Sequence, residues 1–566
     1  MIVSAVSLWK KFNLDAPLCV SEWDITHEGG RWSRVSYSGH HATDGSVRIY
    51  ARFCKPEGEG VKPAILLLPD VCRKLDEDLC RYFLEKGYAV LMPDYTGKLS
   101  TDSDSDLRTV YPPSLSYGNY EQARGLTEMD GGLEAHETTW FEWLYVALYS
   151  VKFLKAREDI GKIGVVGIRH GGALAWQTML SPDVQCGVPI NAVGWRSFAE
   201  VPKFGDKTVQ DFSDDTRRYI AAVEAQSYAP YVKCPVLMLC ALRDDSFDCD
   251  RAYDTYSRIG NQDGNAVFYS QNSGACIGPK GLNNLDLFLE RNLKGREIYI
   301  PDTVNVSLKE TDEGLEVNVE FDKEGILEEA GVYYAEADVQ TKCAYRDWRR
   351  ISRIDGKSVK NGKATCIVKP FAGATAGFVY AYAKYINGFR VVSRIASRRF
   401  SKPNPNAVKG RMLFSGTEMD SFSVAEHKGY SIAEIFLERE AVPKQSQGYG
   451  GIQGAFSVGG IKTYKISSPM YVPDDNALLE FDVYFREDNR LKVSVDVGDI
   501  TRESERYTCN MQVKGGGKWK RVILKAADFK GENCGSPLKN FSEGRALVFD
   551  CQQDETEFAV TNILWL

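Results

Sequence analysis

The sequence predicts a three-domain chain: an α/β domain with an open, mostly parallel, doubly wound sheet, followed by two all-β domains. Three observations carry this. The length of 566 residues exceeds what one hydrophobic core organises. Up to about residue 298, short apolar runs alternate with segments of helical period, the pattern of strands buried on both faces beneath helices. From about 299 the period becomes two, which belongs to half-buried strands.

The elements follow in order. Ala64–Leu68 reads as a buried strand ending in Pro69-Asp70, and Leu75, Leu79, Tyr82 and Phe83 recur at helical spacing until Gly87 stops that helix. Tyr88–Met92 is the next strand. A polar insertion (about 98–138) then lies over the carboxyl ends of the strands, where such sheets place their ligand sites. Trp140–Leu154 is a helix leading to an apolar strand over 163–168. Later strands fall at Gly187–Ala192, Pro235–Cys240 and Ala266–Tyr269, with a closing helix at Asn283–Leu293. Domain boundaries are read at 1–298, 299–402 and 411–566, with a Pro/Asn-rich linker from Ser401. In the second domain Phe378–Tyr385 is a strand with one aromatic face. In the third, Leu478–Tyr484, Leu491–Val497 and Trp519–Leu524 are the clearest pieces, and the closing F-A-V-T-N-I-L-W-L reads as a buried strand.

A composition of 43% hydrophobic and 26% charged residues is that of a soluble globular protein. A net charge of −7 argues against a nucleic-acid-binding surface, and no apolar run is long enough to span a bilayer. The first residues lack a secretory pattern, so the chain is expected in the cytoplasm. Its fourteen Cys, scattered from Cys19 to Cys551 without a CxxC pair, then read as reduced thiols rather than zinc ligands. No metal or cofactor is expected. The oligomeric state stays open.

The chemistry centres on residues 163–172, I-G-V-V-G-I-R-H-G-G. Strand, Gly-rich turn and helix form the context of the G-x-S-x-G nucleophile elbow, with Gly167 and Gly171 flanking. The central residue, however, is Arg169. A guanidinium stays protonated and cannot attack a carbonyl. The six His stand at 27, 40, 41, 136, 170 and 427, so the stretch 240–290, where a Ser hydrolase of this architecture carries its base, has none.

These segments resemble α/β-hydrolases of the dienelactone hydrolase and acetyl xylan esterase kind. G-I-R-H-G-G is similar to the elbow except at the nucleophile. A-P-Y-V-K-C-P-V-L-M-L-C-A-L-R-D resembles the strand leading to the triad acid, which implies Asp244 in that position, with Asp245 as the register alternative. N-S-G-A-C-I-G-P lies where the triad His is carried, so Ala275 or Cys276 takes that place. Pro69-Asp70-Val71-Cys72 stands where the family has its oxyanion loop. The C-terminal segment, through K-W-K-R-V-I-L-K-A-A-D-F and F-A-V-T-N-I-L-W, resembles jelly-roll modules of carbohydrate-binding type; the middle one resembles an immunoglobulin- or fibronectin-like sandwich by pattern. The fold class is therefore an α/β-hydrolase fold followed by a sandwich and a jelly-roll.

Two readings compete at Arg169. Its guanidinium spans the space left by Ser and His and pairs with Asp244 as a structural element, or it binds an anion at a helix N-terminus. His170 is a base for a bound water or a packing residue. Asp70, Cys72 and Cys276 line the same region, with Asp70 and Asp94 ending adjacent strands. Trp519, Tyr484, Phe485, Trp565 and Tyr507 form a sugar platform or a core. Lys342, Arg346, Arg349 and Arg350 around Trp348 form a solvated face or an interface with the first domain. The double loss of Ser and His implies a catalytically silent protein that binds a carbohydrate or an acidic ligand, with Arg169, His170, Asp70 and Cys72 as contacts. The alternative is an active esterase of acylated carbohydrates with an unorthodox catalytic arrangement. The expected partner is thus a small molecule or carbohydrate, with neither nucleic acid nor membrane.

Overall fold

A two-residue turn at Thr43-Asp44, followed by Gly45 at φ 148°, folds the first long extended runs onto each other as a hairpin. This sets the edge of a nine-stranded sheet. The computed structural model describes all residues except 1–3, 28, 72–74, 76, 99–106, 207–210, 245–246, 262, 272–275, 372, 403, 405–406, 408, 426–442, 459, 499–503 and 552–556.

The strands of this sheet are β1 (Ser21–Ile25), β2 (Arg31–Ala42), β3 (Gly45–Lys55), β4 (Lys62–Leu68), β5 (Ala89–Pro93), β6 (Ile160–Ile168), β7 (Val184–Ile190), β8 (Leu237–Ala241) and β9 (Ala266–Ser270). Their order is β1-β2-β3-β5-β4-β6-β7-β8-β9. From β5 to β9 every pairing is parallel. The expected strand–helix alternation therefore holds from β4 onward but not before it, because β1, β2 and β3 pair antiparallel and β3 joins β5 antiparallel. The predicted parallel strands stand within a few residues of their expected places. β4, β5, β8 and β9 are apolar along most of their length, as continuous burial beneath helices on both faces requires. Helix Thr139–Lys155 buries nearly its whole surface, including Glu142, which holds His40 at 2.9 Å.

The second region pairs a three-stranded antiparallel sheet (Asn305–Thr311, Gly314–Glu320, Lys363–Val368) with a five-stranded one built on Leu327–Ala337 and Ala376–Tyr385. The last region, from Met412 to Trp565, carries two six-stranded antiparallel sheets. Its apolar core is separate, whereas the core of the nine-stranded sheet runs without a break into the second region. Burial of that seam makes the first two regions one packing unit.

The basic cluster around Trp348 forms the seam. Arg346 donates two hydrogen bonds to Asp250, at 2.6 and 2.7 Å, and lies 3.6 Å over the Phe378 ring. Both partners are almost inaccessible, at 0% and 2% side-chain exposure. Arg349 pairs with Asp347 at 2.7 Å and donates to the Tyr471 hydroxyl at 2.7 Å, reaching the last region. Arg350 remains partly exposed beside Glu329 at 3.9 Å.

Candidate functional site

The elbow is retained as backbone. Arg169 has φ 51° and ψ −108°, a conformation that L side chains avoid, at the junction of β6 and helix His170–Thr178. Its N–H donates to the Ile190 carbonyl at 2.8 Å, and its own carbonyl accepts from Ala173 at 2.9 Å. The glycines around it are there for contact. A Cβ on Gly167 would lie 2.1 Å from the Gly171 carbonyl oxygen, and one on Gly171 would lie 2.1 Å from that of Leu68. Close passage of helix over strand therefore demands glycine at both positions, whatever residue stands between them.

Arg169 Nε donates to Asp244 Oδ2 at 3.3 Å, and its Nη1 lies 3.9 Å from Asp70 Oδ2. Asp244 follows β8 with its side chain 1% exposed; Asp70 follows β4, and Arg169 is 12% exposed. The structural pairing expected of Arg169 is thus present. Asp70 Oδ1 accepts from His170 Nδ1 at 2.8 Å and from the His170 backbone N–H at 3.3 Å. Burial pushes the Asp70 carboxyl up. The His170 hydrogen bond and the Arg169 charge outweigh this and hold it below the usual carboxylate range.

The remaining His170 nitrogen meets a residue that the sequence reading did not single out. Arg196 Nη1 lies 3.1 Å from His170 Nε2. Because a guanidinium only donates, Nε2 accepts and Nδ1 carries the proton toward Asp70. Arg196 sits in the loop after β7, where Asn191 (φ 48°) and Trp195 (φ 62°) turn the chain back over the strand ends. The signal available was positional: an Arg shortly after the strand beside the elbow, at its carboxyl end. Trp140 stacks on His170 with ring centroids 6.1 Å apart at 16°, and donates from Nε1 to the Leu126 carbonyl, so the insertion is packed over the elbow.

The site is therefore two guanidiniums and an imidazole interleaved with two carboxylates. It has neither a Ser hydroxyl at the elbow nor an imidazole behind Asp244 among the described residues. A cavity of about 30 Å³, lined in part by Trp195, Arg196, Asp244 and Asp248, adjoins it and has room only for water.

Other candidates lie elsewhere. Cys276 is fully buried just before helix Gly278–Lys294. Cys72, Asp245 and Ala275 fall outside the described residues. Asp94 does not pair with Asp70: its carboxylate accepts backbone N–H groups of Thr96, Lys98 and Thr109, anchoring both ends of the turn into the insertion. Of the C-terminal aromatics, Phe485 and Trp565 are core residues, whereas Tyr484 and Trp519 form a partly exposed pair 5.4 Å apart.

Residues 49–272 match the family model described as "Dienelactone hydrolase family". No curated protein matches the chain. Among solved structures, acetyl xylan esterase 1 from Thermoanaerobacterium sp. JW/SL YS485 is similar at 14% identity, covering 50% of this chain and 92% of its own, with a TM-score of 0.40. The acetyl xylan esterase from Paenibacillus sp. R4 is similar at 16% identity, covering 51% and 92%, with a TM-score of 0.39. The acylaminoacyl peptidase of Pyrococcus horikoshii covers 52% of this chain and 44% of its own at 16% identity, TM-score 0.33. The parallel sheet, the elbow and the match of residues 49–272 to that family model agree that the N-terminal part of the chain has an α/β-hydrolase-like fold.

Proposed function

We propose that this hydrolase-fold protein does not hydrolyse esters and that a carbohydrate binds against the partly exposed Arg169 and His170 from the surface, since the cavity of about 30 Å³ beside them is too small to enclose a sugar. One observation carries the first half: the nucleophile position holds Arg169, whose guanidinium is engaged by Asp244 at 3.3 Å. Removing the Ser or the His from a catalytic triad costs about 10⁶-fold in turnover, and here both are replaced. The second half follows from charge. Two guanidiniums face two carboxylates, so the cluster has little net charge to recruit an anion, which sets a neutral polyhydroxy ligand above an acidic one. Sugar hydroxyls accept from guanidinium and donate to carboxylate in turn, matching the run Asp244, Arg169, Asp70, His170, Arg196.

The test combines acetate release from acetylated xylan with calorimetric binding of neutral xylo-oligosaccharides, for wild type and Arg169→Ala. The proposal expects no acetate from either protein, and binding by the wild type that weakens about tenfold in the variant. Acetate released by the wild type alone, or no sugar binding, would refute it.

A second reading, hydrolysis of an acylated carbohydrate by a water that His170 deprotonates, is favoured by the Asp70–His170 contact at 2.8 Å. The contact orients the ring and leaves Nε2 as the basic nitrogen. Against it, Arg196 already occupies Nε2. Turnover abolished by His170→Ala and increased by Arg196→Ala would support this reading over the first.

A further inference from the structure

A second concave site lies away from the elbow, where all three regions meet. It is a cleft of about 420 Å³ between the end of β9 with the following helix, the aromatic strand Ala376–Tyr385, and Asp420 of the last region. Its wall is a tyrosine cluster. Tyr333 and Tyr380 stack in parallel, with centroids 4.9 Å apart at 8°, and Tyr382 stands 5.7 Å from Tyr333. Tyr333 and Tyr380 are buried at 6% and 2% exposure, so the partly exposed Tyr382 ring is the apolar face left for another ring.

Two cations line the same cleft without a carboxylate within ion-pair distance among the described residues: Lys280, exposed on the first turn of helix Gly278–Lys294, and Arg390. Arg390 is half-buried, and the contact of its guanidinium is Nη1 to the Gly388 carbonyl at 3.0 Å. Glu328 and Glu329 act on Arg390 only from beyond ion-pair distance. Glu329 is taken by the Tyr382 hydroxyl at 2.6 Å and by Arg353 at 2.8 Å, and Asp420 is exposed on the last region's side. Lys384, by contrast, is already paired with Glu328.

A further pair of polar atoms lacks partners. The Tyr269 hydroxyl and Gln271 Oε1 are buried and have no hydrogen-bond partner among the described residues, and both residues line the cleft. An orphaned donor and acceptor beside two cations that have no ion-pair partner among the described residues, and beside an aromatic wall, describe a site that is completed by a ligand.

We infer that this cleft binds a small carboxylate carried on a six-membered ring, the carboxylate on Arg390 and Lys280 and the ring against Tyr382. A uronic acid and an aryl carboxylate share this chemistry. Such a site is independent of the elbow: no residue of the Arg169 cluster lines it.

The experiment is calorimetric titration of the full chain with digalacturonate, 4-hydroxybenzoate and xylobiose, for wild type, Lys280→Ala, Arg390→Gln and Arg169→Ala. Saturable binding of either acid but not of xylobiose is expected, with the preferred acid naming the source of the ring. Lys280→Ala and Arg390→Gln should each weaken it about tenfold or more, the loss expected for one charge-assisted hydrogen bond. Lys280 is exposed and carries no other contact described here, so its variant reports on binding even if Arg390→Gln unfolds. Absence of binding by both acids, equal binding of xylobiose, or undiminished binding in Lys280→Ala would overturn the assignment. Loss of acid binding in Arg169→Ala alone would place the ligand at the elbow and overturn it as well.

Discussion

Two Arg–Asp pairs in one molecule show how differently the same two residue types are used. At the seam, Arg346 and Asp250 meet through two parallel hydrogen bonds of 2.6 and 2.7 Å, with both side chains sealed and an aromatic ring beneath the guanidinium. At the elbow, Arg169 Nε lies 3.3 Å from Asp244 and its Nη1 3.9 Å from Asp70, from a strained backbone, with part of its side chain in solvent. The first geometry is that of a bidentate lock, in which each partner's desolvation is offset by the other. The second fills the place of a missing nucleophile. Its longer, partly solvated contacts leave the cluster open to a ligand; the seam cannot exchange partners without parting two regions.

The difference can be broken most forcefully at the seam. Arg346→Ala should destabilise the protein by about 3–5 kcal/mol, because Asp250 is left buried without its counter-charge. Chemical denaturation should also show a second transition as the shared core opens. A loss below about 1 kcal/mol would mean that the seam is not a lock.

Beside it, Asp248 supplies a pH-dependent counterpart. Burial and the neighbouring Asp250 push its carboxyl up to about 6. Since the folded value lies above the unfolded one of about 3.9, its stabilising contribution is present below about pH 4 and is lost as pH rises through about 6. Asp248→Asn should therefore gain about 1–2 kcal/mol over wild type at pH 8 and nothing at pH 4, read from melting curves at both pH values. Equal gains at the two would contradict the assignment.

At the elbow the expected effect is smallest and has a particular order. Arg169→Gly should be more stable than Arg169→Ala by about 1 kcal/mol, since glycine adopts φ 51° without strain. If alanine is the better replacement, the backbone there is not strained.

The parallel strands, the long helices and the elbow were legible in the sequence because buried strands and glycine-rich turns impose their own residue patterns. Ala64–Leu68 and residues 163–168 have no other stable use than a doubly covered strand. The antiparallel β1–β3 edge was not legible in the same way. It mixes Arg, Ser and His with apolar residues, and its sharpest signal is the Thr43-Asp44 turn before Gly45. Arg169 and Asp244 were found because each occupies a motif position. Arg196 was not, since a loop arginine acquires meaning only when Asn191 and Trp195 turn it back onto His170. The tyrosine cleft was also out of reach: the aromatic face of Phe378–Tyr385 was visible, but its neighbours come from the two other regions.

The central claim, that the elbow has exchanged ester hydrolysis for a charge-paired polar site, is tested most directly by following chromophore release from 4-nitrophenyl acetate under multiple-turnover conditions. Wild type, Arg169→Ala and Arg169→Ser would be measured side by side. The account predicts no release above the protein-free background from any of the three, because serine restored to the elbow still lacks the triad imidazole behind Asp244, and the His170 ring is held by Asp70 and Arg196. Wild-type turnover that disappears in Arg169→Ala would contradict it.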